Sequence, residues 1–454
     1  MTQMKELGYS DKVLRLLERY NVEVFNYVRI TLSDGRIYTG VILPRPGYGD
    51  PDSIVLKLDN GYNIGVKVDE NTVIELLEKL PEPKLAEVIK PYVSEELPKV
   101  LMLGTGGTIA SRIDYRTGAV YSFFTAEEIY SMISELAEIA YVEAKTIFNI
   151  FSEDMTPARW ATIAEHVYRS FKNDDYAGVV IAHGTDTMGY TAAALSFAVR
   201  NLPGPVVMVG AQRSSDRPST DTIENVLAAV STAAYAPFAE VVVVMHGSVS
   251  DDYCLAHRGT KVRKCHTSRR DAFRSINETP LAVIRRTEIR MLTQNFVPRD
   301  SDREPILDNK FSDKVVLLKF YPGMDGGIIE ALVEAGYKGI VLEGTGLGHV
   351  RNELIPVISR AVKDGVAFVM TSQCIWGRVN MNVYSTGVEL LKAGVIPGED
   401  MLPETAFVKL SWVLAKTEDL EEIRRLMLTN ISGEINPHSS AKYYPEVLSD
   451  GVST

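Results

Sequence analysis

The sequence predicts an α/β protein: a two-domain body built on parallel sheets, preceded by a small β-barrel domain. Two patterns carry this. From Lys99 onward, strands apolar along their whole length alternate with helical stretches, as in a parallel sheet covered on both faces. Before residue 80 apolar and polar residues alternate instead, in short runs punctuated by Asp-Gly and Asn-Gly turns. The length of 454 residues suits several domains.

Residues 1–80 read as an N-terminal helix followed by the barrel. VEVFNYVRITLSDGRIYTGVIL folds back at Asp34-Gly35, and DSIVLKLDNGYNIGVKV at Asn60-Gly61. Residues 81–98, rich in proline and glutamate, read as a linker. A first α/β domain is placed at 99–290, with strands KVLMLG (99–104), VEAKTIFNI (142–150), GVVIAHG (178–184), PVVMVGA (205–211) and EVVVVMHG (240–247). Its first helix, 125–140, opens with Thr125 and has Glu128 three residues on, a capping box. The next, 156–171, has Thr156 as N-cap and Pro157 at the first helical position. Further helices are expected near 189–200 and 221–235. Residues 291–312, polar and containing Pro298 and Pro305, read as an inter-domain linker. A smaller α/β domain follows at 313–430, with strands VVLLKF, GIVLEGTG and VAFVMTS and helices near 327–336, 353–364 and 403–430. The polar tail, 431–454, is expected to be loosely held.

Composition narrows the function. Apolar residues make up 45% and charged residues 24%, which excludes disordered and fibrous classes. A net charge of −11 argues against a broad nucleic-acid-gripping face. The three cysteines, Cys254, Cys265 and Cys374, form no CxxC pair and point to a reducing compartment. The stretch MTQMKELGYSDKVLRLLERY has no signal-peptide core, and no run approaches 18 apolar residues. A cytoplasmic protein without a membrane partner is expected.

Ligands in parallel sheets bind beyond the carboxyl ends of the strands, and two such ends carry unusual loops. The first is Gly104-Thr105-Gly106-Gly107-Thr108-Ile109-Ala110-Ser111. It matches neither a P-loop, lacking Lys-Ser/Thr, nor GxGxxG, because Ile109 takes the last glycine position. A threonine hydroxyl among backbone N–H donors can attack a carbonyl whose oxyanion those donors stabilise; a tight turn that needs glycine is the plainer reading. The second loop is His183-Gly184-Thr185-Asp186-Thr187-Met188. Asp186 can orient a hydroxyl or hold an ammonium, or Asp186 and Thr187 can simply cap the next helix.

Together, TGGTIAS and HGTDTM resemble the paired signatures of the L-asparaginase/glutaminase amidohydrolases, from Lys99 to about Asn430. The resemblance implies an asparaginase-like two-domain body, a covalent amidase mechanism and no metal. It implies Thr108 as nucleophile, with Thr185, Asp186 and a lysine as a second, proton-moving group. The lysine is matched to Lys261 in RGTKVRK, with Lys264 as the fallback. Ser152 in FSEDM corresponds to a serine that grips the substrate α-carboxylate. Glu153, where the family often has glutamine, joins Gly107 and Gly184 as substrate-binding candidates. Tyr115, or by spacing Tyr121, corresponds to a tyrosine that assists the nucleophile. Cys254, His257, Cys265 and His266 lack zinc spacing and read as ordinary loop residues.

Almost 100 residues precede this body. That arrangement resembles the D-subunit family of archaeal-type glutamyl-tRNA(Gln) amidotransferases, which implies a glutaminase feeding ammonia to an E-type subunit. The partner would use ATP and Mg2+ to amidate Glu-tRNA(Gln) in a heterotetramer around a homodimer of this chain, with no cofactor in the chain itself. The acidic charge fits tRNA binding mainly through the partner. The basic run Arg258, Lys261, Arg263, Lys264, Arg269, Arg270 and Arg274 also resembles this family; a solvated charged hairpin is the plainer alternative. A free-standing L-asparaginase/glutaminase with an added N-terminal domain is the alternative assignment.

Overall fold

The computed structural model describes residues 9–43, 50–59, 63–79, 93–94, 96–107, 111–113, 120–122, 126–213 and 220–444. Asn60-Gly61, nearly all of the 81–98 linker and Thr125 lie outside them.

Helix α1 (Asp11–Arg19) starts where the Ser10 hydroxyl accepts from the Val13 N–H, and it buries Val13, Leu14, Leu16 and Leu17. It packs on five antiparallel strands: β1 (Asn26–Thr31), β2 (Ile37–Ile42), β3 (Ser53–Leu58), β4 (Asn63–Lys67) and β5 (Val73–Lys79). Their hydrogen-bonded order is β4-β3-β2-β1-β5. The alternating pattern puts Val28, Ile30, Ile54 and Leu56 into one core with α1. Gly35, at φ +85°, makes the Asp34-Gly35 turn between β1 and β2.

The body follows as β6 (Lys99–Gly104), β7 (Ser111–Ile113), β8 (Val120–Ser122), α2 (Ala126–Met132), β9 (Tyr141–Thr146), α3 (Pro157–Asn173), β10 (Gly178–Ala182) and α4 (Met188–Ala198). Next come β11 (Val199–Arg200), β12 (Val206–Val209), α5 (Thr222–Tyr235), β13 (Val241–His246), β14 (Cys254–Arg258), β15 (Val262–Lys264) and β16 (Phe273–Ser275). β17 (Ala282–Arg285), β18 (Glu288–Met291) and β19 (Ile306–Leu307) complete this half. Its main sheet has the order β18-β17-β14-β13-β12-β10-β6-β9. The run from β9 to β13 is parallel, and β14, β17 and β18 continue it antiparallel.

The chain leaves β6 for β9 on one side of the sheet and leaves β10 for β12 on the other. The order therefore reverses between β6 and β10, which are paired in register from Val100↔Gly178 to Gly104↔Ala182. Such a reversal opens a crevice at the strands' carboxyl ends, where open α/β sheets bind ligands. TGGT follows β6 and HGTD follows β10, so both unusual loops flank that crevice.

The smaller half contains β20 (Val315–Lys319), α6 (Gly327–Glu334), β21 (Gly339–Gly344), α7 (Ile355–Lys363), β22 (Ala367–Ser372), α8 (Ser385–Lys392), β23 (Ile396–Pro397), α9 (Pro403–Leu414) and α10 (Leu420–Leu428). Its four strands are parallel, in the order β20-β21-β22-β23. The halves share apolar packing: Trp160 and Phe197 sit in one core with Val341, Val369 and Trp412. Among the described residues no helix is long and apolar enough to cross a membrane.

Three details depart from the sequence reading. The helix expected at 125–140 breaks at Ile133, which leaves helical geometry and is followed by a 3-10 turn, Ser134–Glu138. Ile133, Leu136 and Ile139 all enter the core across this break. The 291–312 stretch is packed down, not slack: β19 pairs with β11, and the half-buried Arg299 guanidinium donates to the carbonyls of Ala177, Ala233 and Ala234. The tail is not loosely held at its start. Glu434 is fully buried, accepts from Lys409 Nζ at 2.5 Å and from the Ser432 N–H at 2.7 Å, and so straps the segment to α9. Its charge gave it the look of a solvated tail residue, but the partner that neutralises it lies 25 positions away. Replacing Glu434 by Ala would leave the Lys409 ammonium buried without its counter-ion. The expected cost is about 3–5 kcal/mol of unfolding free energy in denaturant titration, and a loss below about 1 kcal/mol contradicts this.

Candidate active site

The loops after β6 and β10 touch backbone to backbone. Gly106 and Gly107 have φ of +109° and +86°, a region that L side chains rarely enter. A Cβ on Gly107 would lie 2.6 Å from the Gly184 nitrogen, and one on Gly106 would lie 2.2 Å from the Ile150 carbonyl oxygen. A Cβ on Gly184 would in turn meet the Ser152 Cβ at 2.8 Å. The glycines are thus needed for the turn itself, and the turn brings three segments together: TGG, HGTD and FSED. Thr105 fastens the first to the second, its hydroxyl donating to the Ala182 carbonyl at 2.9 Å. Thr187 fastens the second to the third, donating to the Ser152 carbonyl at 2.6 Å. The Thr187 hydroxyl makes no capping bond to α4, so helix capping does not account for the polar run at 185–187.

Thr108 and Tyr115 lie outside the described residues, as do the side chain of Tyr121 and any geometry of theirs. The described chain reaches Gly107, directly against Gly184. Thr185 is buried, and Asp186 stands 62% exposed at the mouth of the crevice. Between them lies an ammonium: Lys264 Nζ donates to Thr185 Oγ1 and to Asp186 Oδ1, each at 2.8 Å. Ser152 is buried beside Gly184, and its hydroxyl donates to the Glu153 carboxylate at 3.1 Å.

The lysine that meets Thr185 and Asp186 is Lys264, not Lys261. Lys261 is wholly buried, and its Nζ donates to Asp400 Oδ2 at 2.8 Å, on the far side of β15 from the crevice. Burial lowers its pKa, with Asp400 opposing the shift. Spacing alone could not separate two lysines three positions apart; the fold does, with Lys264 on β15 reaching the crevice and Lys261, in the turn just ahead of it, claimed by Asp400.

Sequence reasoning also missed the support behind the second loop. Trp160 Nε1 donates to Thr191 Oγ1 at 3.2 Å, and Thr191 faces His183 Nε2 at 3.0 Å. His183 Nδ1 lies 2.7 Å from the Gly184 carbonyl oxygen. That oxygen can only accept, so Nδ1 carries the proton and Nε2 accepts from Thr191. A neutral imidazole, its pKa lowered by burial to about 4, thereby fixes the Gly184 peptide.

Three family models match the chain: "Asparaginase, N-terminal" over residues 99–296, "Glutaminase/Asparaginase C-terminal domain" over 314–427 and "GatD N-terminal domain" over 22–77. Among solved structures, a thermostable L-asparaginase from Thermococcus kodakarensis superposes with a TM-score of 0.68 at 36% identity, covering 74% of this chain and 99% of that one. The chain is 53% identical over 446 residues to the D subunit of a glutamyl-tRNA(Gln) amidotransferase from Thermofilum pendens, covering 96% of this chain and 98% of that protein. A protein of the same name from Pyrococcus abyssi is 56% identical over 440 residues, 95% of this chain and 99% of that one. The chain belongs to the D-subunit family of glutamyl-tRNA(Gln) amidotransferases.

In this D-subunit chain the basic run is neutralised locally. Arg258 pairs with Glu240 and Glu278, Arg263 with Glu404, Arg269 and Arg274 with Asp271, and Arg270 with Asp251. Cys254, His257, Cys265 and His266 are separately engaged, and among the described residues no group of three or more metal-ligating side chains gathers.

His183 yields a pH prediction. Its folded pKa of about 4 lies below the ordinary value of 6.5, so the unfolded chain takes up the proton first. The stability this contributes is complete above about pH 6.5 and is lost as pH falls toward 4, roughly 3 kcal/mol in all. In an NMR titration the His183 ring should stay neutral down to pH 5, and a midpoint near 6.5 contradicts the assignment.

Proposed function

We propose that this chain is the glutaminase subunit of a tRNA-dependent amidotransferase. It hydrolyses glutamine through Thr108 and supplies the ammonia with which an E-type partner subunit, using ATP and Mg2+, converts Glu-tRNA(Gln) to Gln-tRNA(Gln). The observation that carries the chemistry is the Lys264 ammonium, 2.8 Å from both Thr185 and Asp186, at the crevice where the loop leading into Thr108 ends. The relatives named as D subunits, similar over nearly their whole length, support the partnership.

In the first step the Thr108 oxygen bonds to the side-chain carbonyl carbon of glutamine, and the carbon–nitrogen bond breaks. The departing nitrogen takes a proton and leaves as ammonia. Water then adds to the acyl-threonine ester, releasing glutamate and returning the proton to Thr108. Thr185, Asp186 and Lys264 form the relay that moves these protons, and backbone N–H groups of the glycine loops offer donors to the developing oxyanion. Ser152 grips the substrate's α-carboxylate, with Glu153, Gly107 and Gly184 beside it as substrate-binding residues. Tyr115 or Tyr121 assists the nucleophile.

The working assembly is a cytoplasmic heterotetramer with a homodimer of this chain inside and the tRNA carried mainly by the partner. The pairing of nearly every basic side chain of the 258–274 run within the chain supports that division of labour. The free-standing L-asparaginase/glutaminase assignment is less supported, because the relatives called D subunits match the N-terminal region as well as the body.

Two experiments test this. Lys264→Ala should lower kcat for glutamine hydrolysis by about 100-fold or more, a typical loss for a proton-transfer group; near-normal turnover contradicts the relay. Thr108→Ala should abolish glutamine-dependent amidation of Glu-tRNA(Gln) by the reconstituted complex while sparing the reaction driven by ammonium salt. Loss of the ammonium-driven reaction as well would refute the role of Thr108.

A further inference from the structure

The strand that presents Lys264 is gripped from behind. A period of two sends the side chains of Val262 and Lys264 to one face of β15 and that of Arg263 to the other, the side on which Lys261, in the turn just ahead of the strand, also finds its partner. Val262 enters the core of the first half, and Lys264 reaches Thr185 and Asp186. On the opposite face Lys261 and Arg263 both meet acids of the smaller half, between β23 and the first turn of α9. Lys261 Nζ donates to Asp400 Oδ2 at 2.8 Å and to the Asp400 carbonyl at 3.2 Å, and Arg263 lies 3.3 Å from Glu404. The backbone ahead of the strand is held too, the Thr260 carbonyl accepting from the Thr405 hydroxyl at 2.8 Å.

Asp400 is fixed in its turn. Its Oδ1 accepts from the Asn436 N–H at 2.9 Å, its Oδ2 from Asn436 Nδ2 at 2.8 Å, and its carbonyl from Asn277 Nδ2 at 3.3 Å. Neither side chain of the Lys261–Asp400 pair sees more than a trace of solvent. A buried ion pair seldom stabilises a fold more than well-packed hydrocarbon would, but it holds one register where hydrocarbon can slide.

We propose, resting on the reading of Lys264 as the proton-moving lysine, that Lys261 and Asp400 are a positioning pair through which the smaller α/β half sets the place of the Lys264 ammonium against Thr185 and Asp186. Neither residue touches Thr185 or Asp186; both act through β15. A natural control exists in the same half. Ile358 of α7 is wholly buried in a core that contains no residue of β15, of the turn at 400–405 or of the 430–436 segment.

The test uses the full-length chain in complex with its partner subunit, with glutamine hydrolysis measured for each variant at a fixed interval below its own melting temperature. Lys261→Met and Asp400→Asn should lower kcat about 10- to 100-fold with KM within about threefold, since a misplaced but intact group costs the chemical step and not binding. Ile358→Ala, which destabilises the same half from a core remote from β15, should keep kcat within about twofold of wild type. Unchanged kcat in both β15-side variants overturns the proposal, and so does an equal fall in Ile358→Ala, which would make the loss one of general stability. If Lys261→Met does not fold, Asp400→Asn decides, because it keeps the shape of the side chain and an acceptor oxygen. Lys264→Ala is measured alongside. Full activity there refutes the active-site reading itself, whereas loss in Lys264→Ala alone refutes only the positioning pair.

Discussion

Where the loops after β6 and β10 meet, peptide lies against peptide with no side chain between, and the site rests on that approach. Gly107 on Gly184, and Gly184 on Ser152, leave no room for even one methyl group. Because β6 and β10 are neighbours from which the chain departs in opposite directions, the crevice above them receives residues from segments distant in sequence. Hydrogen bonds from Thr105, Thr187 and the His183–Thr191–Trp160 chain hold the contact from several sides.

Around this contact the chain uses buried charge as a fastener. Lys261 with Asp400, Lys409 with Glu434, and Arg258 with Glu240 and Glu278 all lie out of solvent. Such arrangements are costly to break and specific in geometry, and the Lys261–Asp400 pair places one of them at the joint between the two halves. They also explain how a chain of net charge −11 carries a conspicuous basic run without presenting a broad cationic face.

Much of this was legible in the sequence, and the failures have physical causes. The strands after Lys99 were readable because burial on both faces leaves uninterrupted apolar runs, and Thr156-Pro157 marked the start of α3 because capping is a local bond. The meeting of the TGG and HGTD loops was readable because both put glycines and hydroxyls at a strand's carboxyl end and together resemble one paired signature. What escaped depends on contacts remote in the chain. Lys261 and Lys264 look alike until Asp400, 139 positions beyond Lys261, claims the first. Glu434 looks like a tail residue until Lys409 buries it. The break at Ile133, too, carries no local mark in the sequence, where the apolar spacing of Ile133, Leu136 and Ile139 also suits a continuous helix.

On the proposed mechanism, Thr108 is the nucleophile of the crevice built by Gly107, Gly184, Thr185, Asp186 and Lys264. A diazoketone analogue of glutamine alkylates the group that attacks the amide carbon, and peptide mapping of the modified chain then identifies that group. A single adduct on Thr108 is expected, suppressed by excess glutamine and by Lys264→Ala. An adduct on Cys265 or Cys374, with Thr108 unmodified and hydrolysis lost, would contradict the assignment.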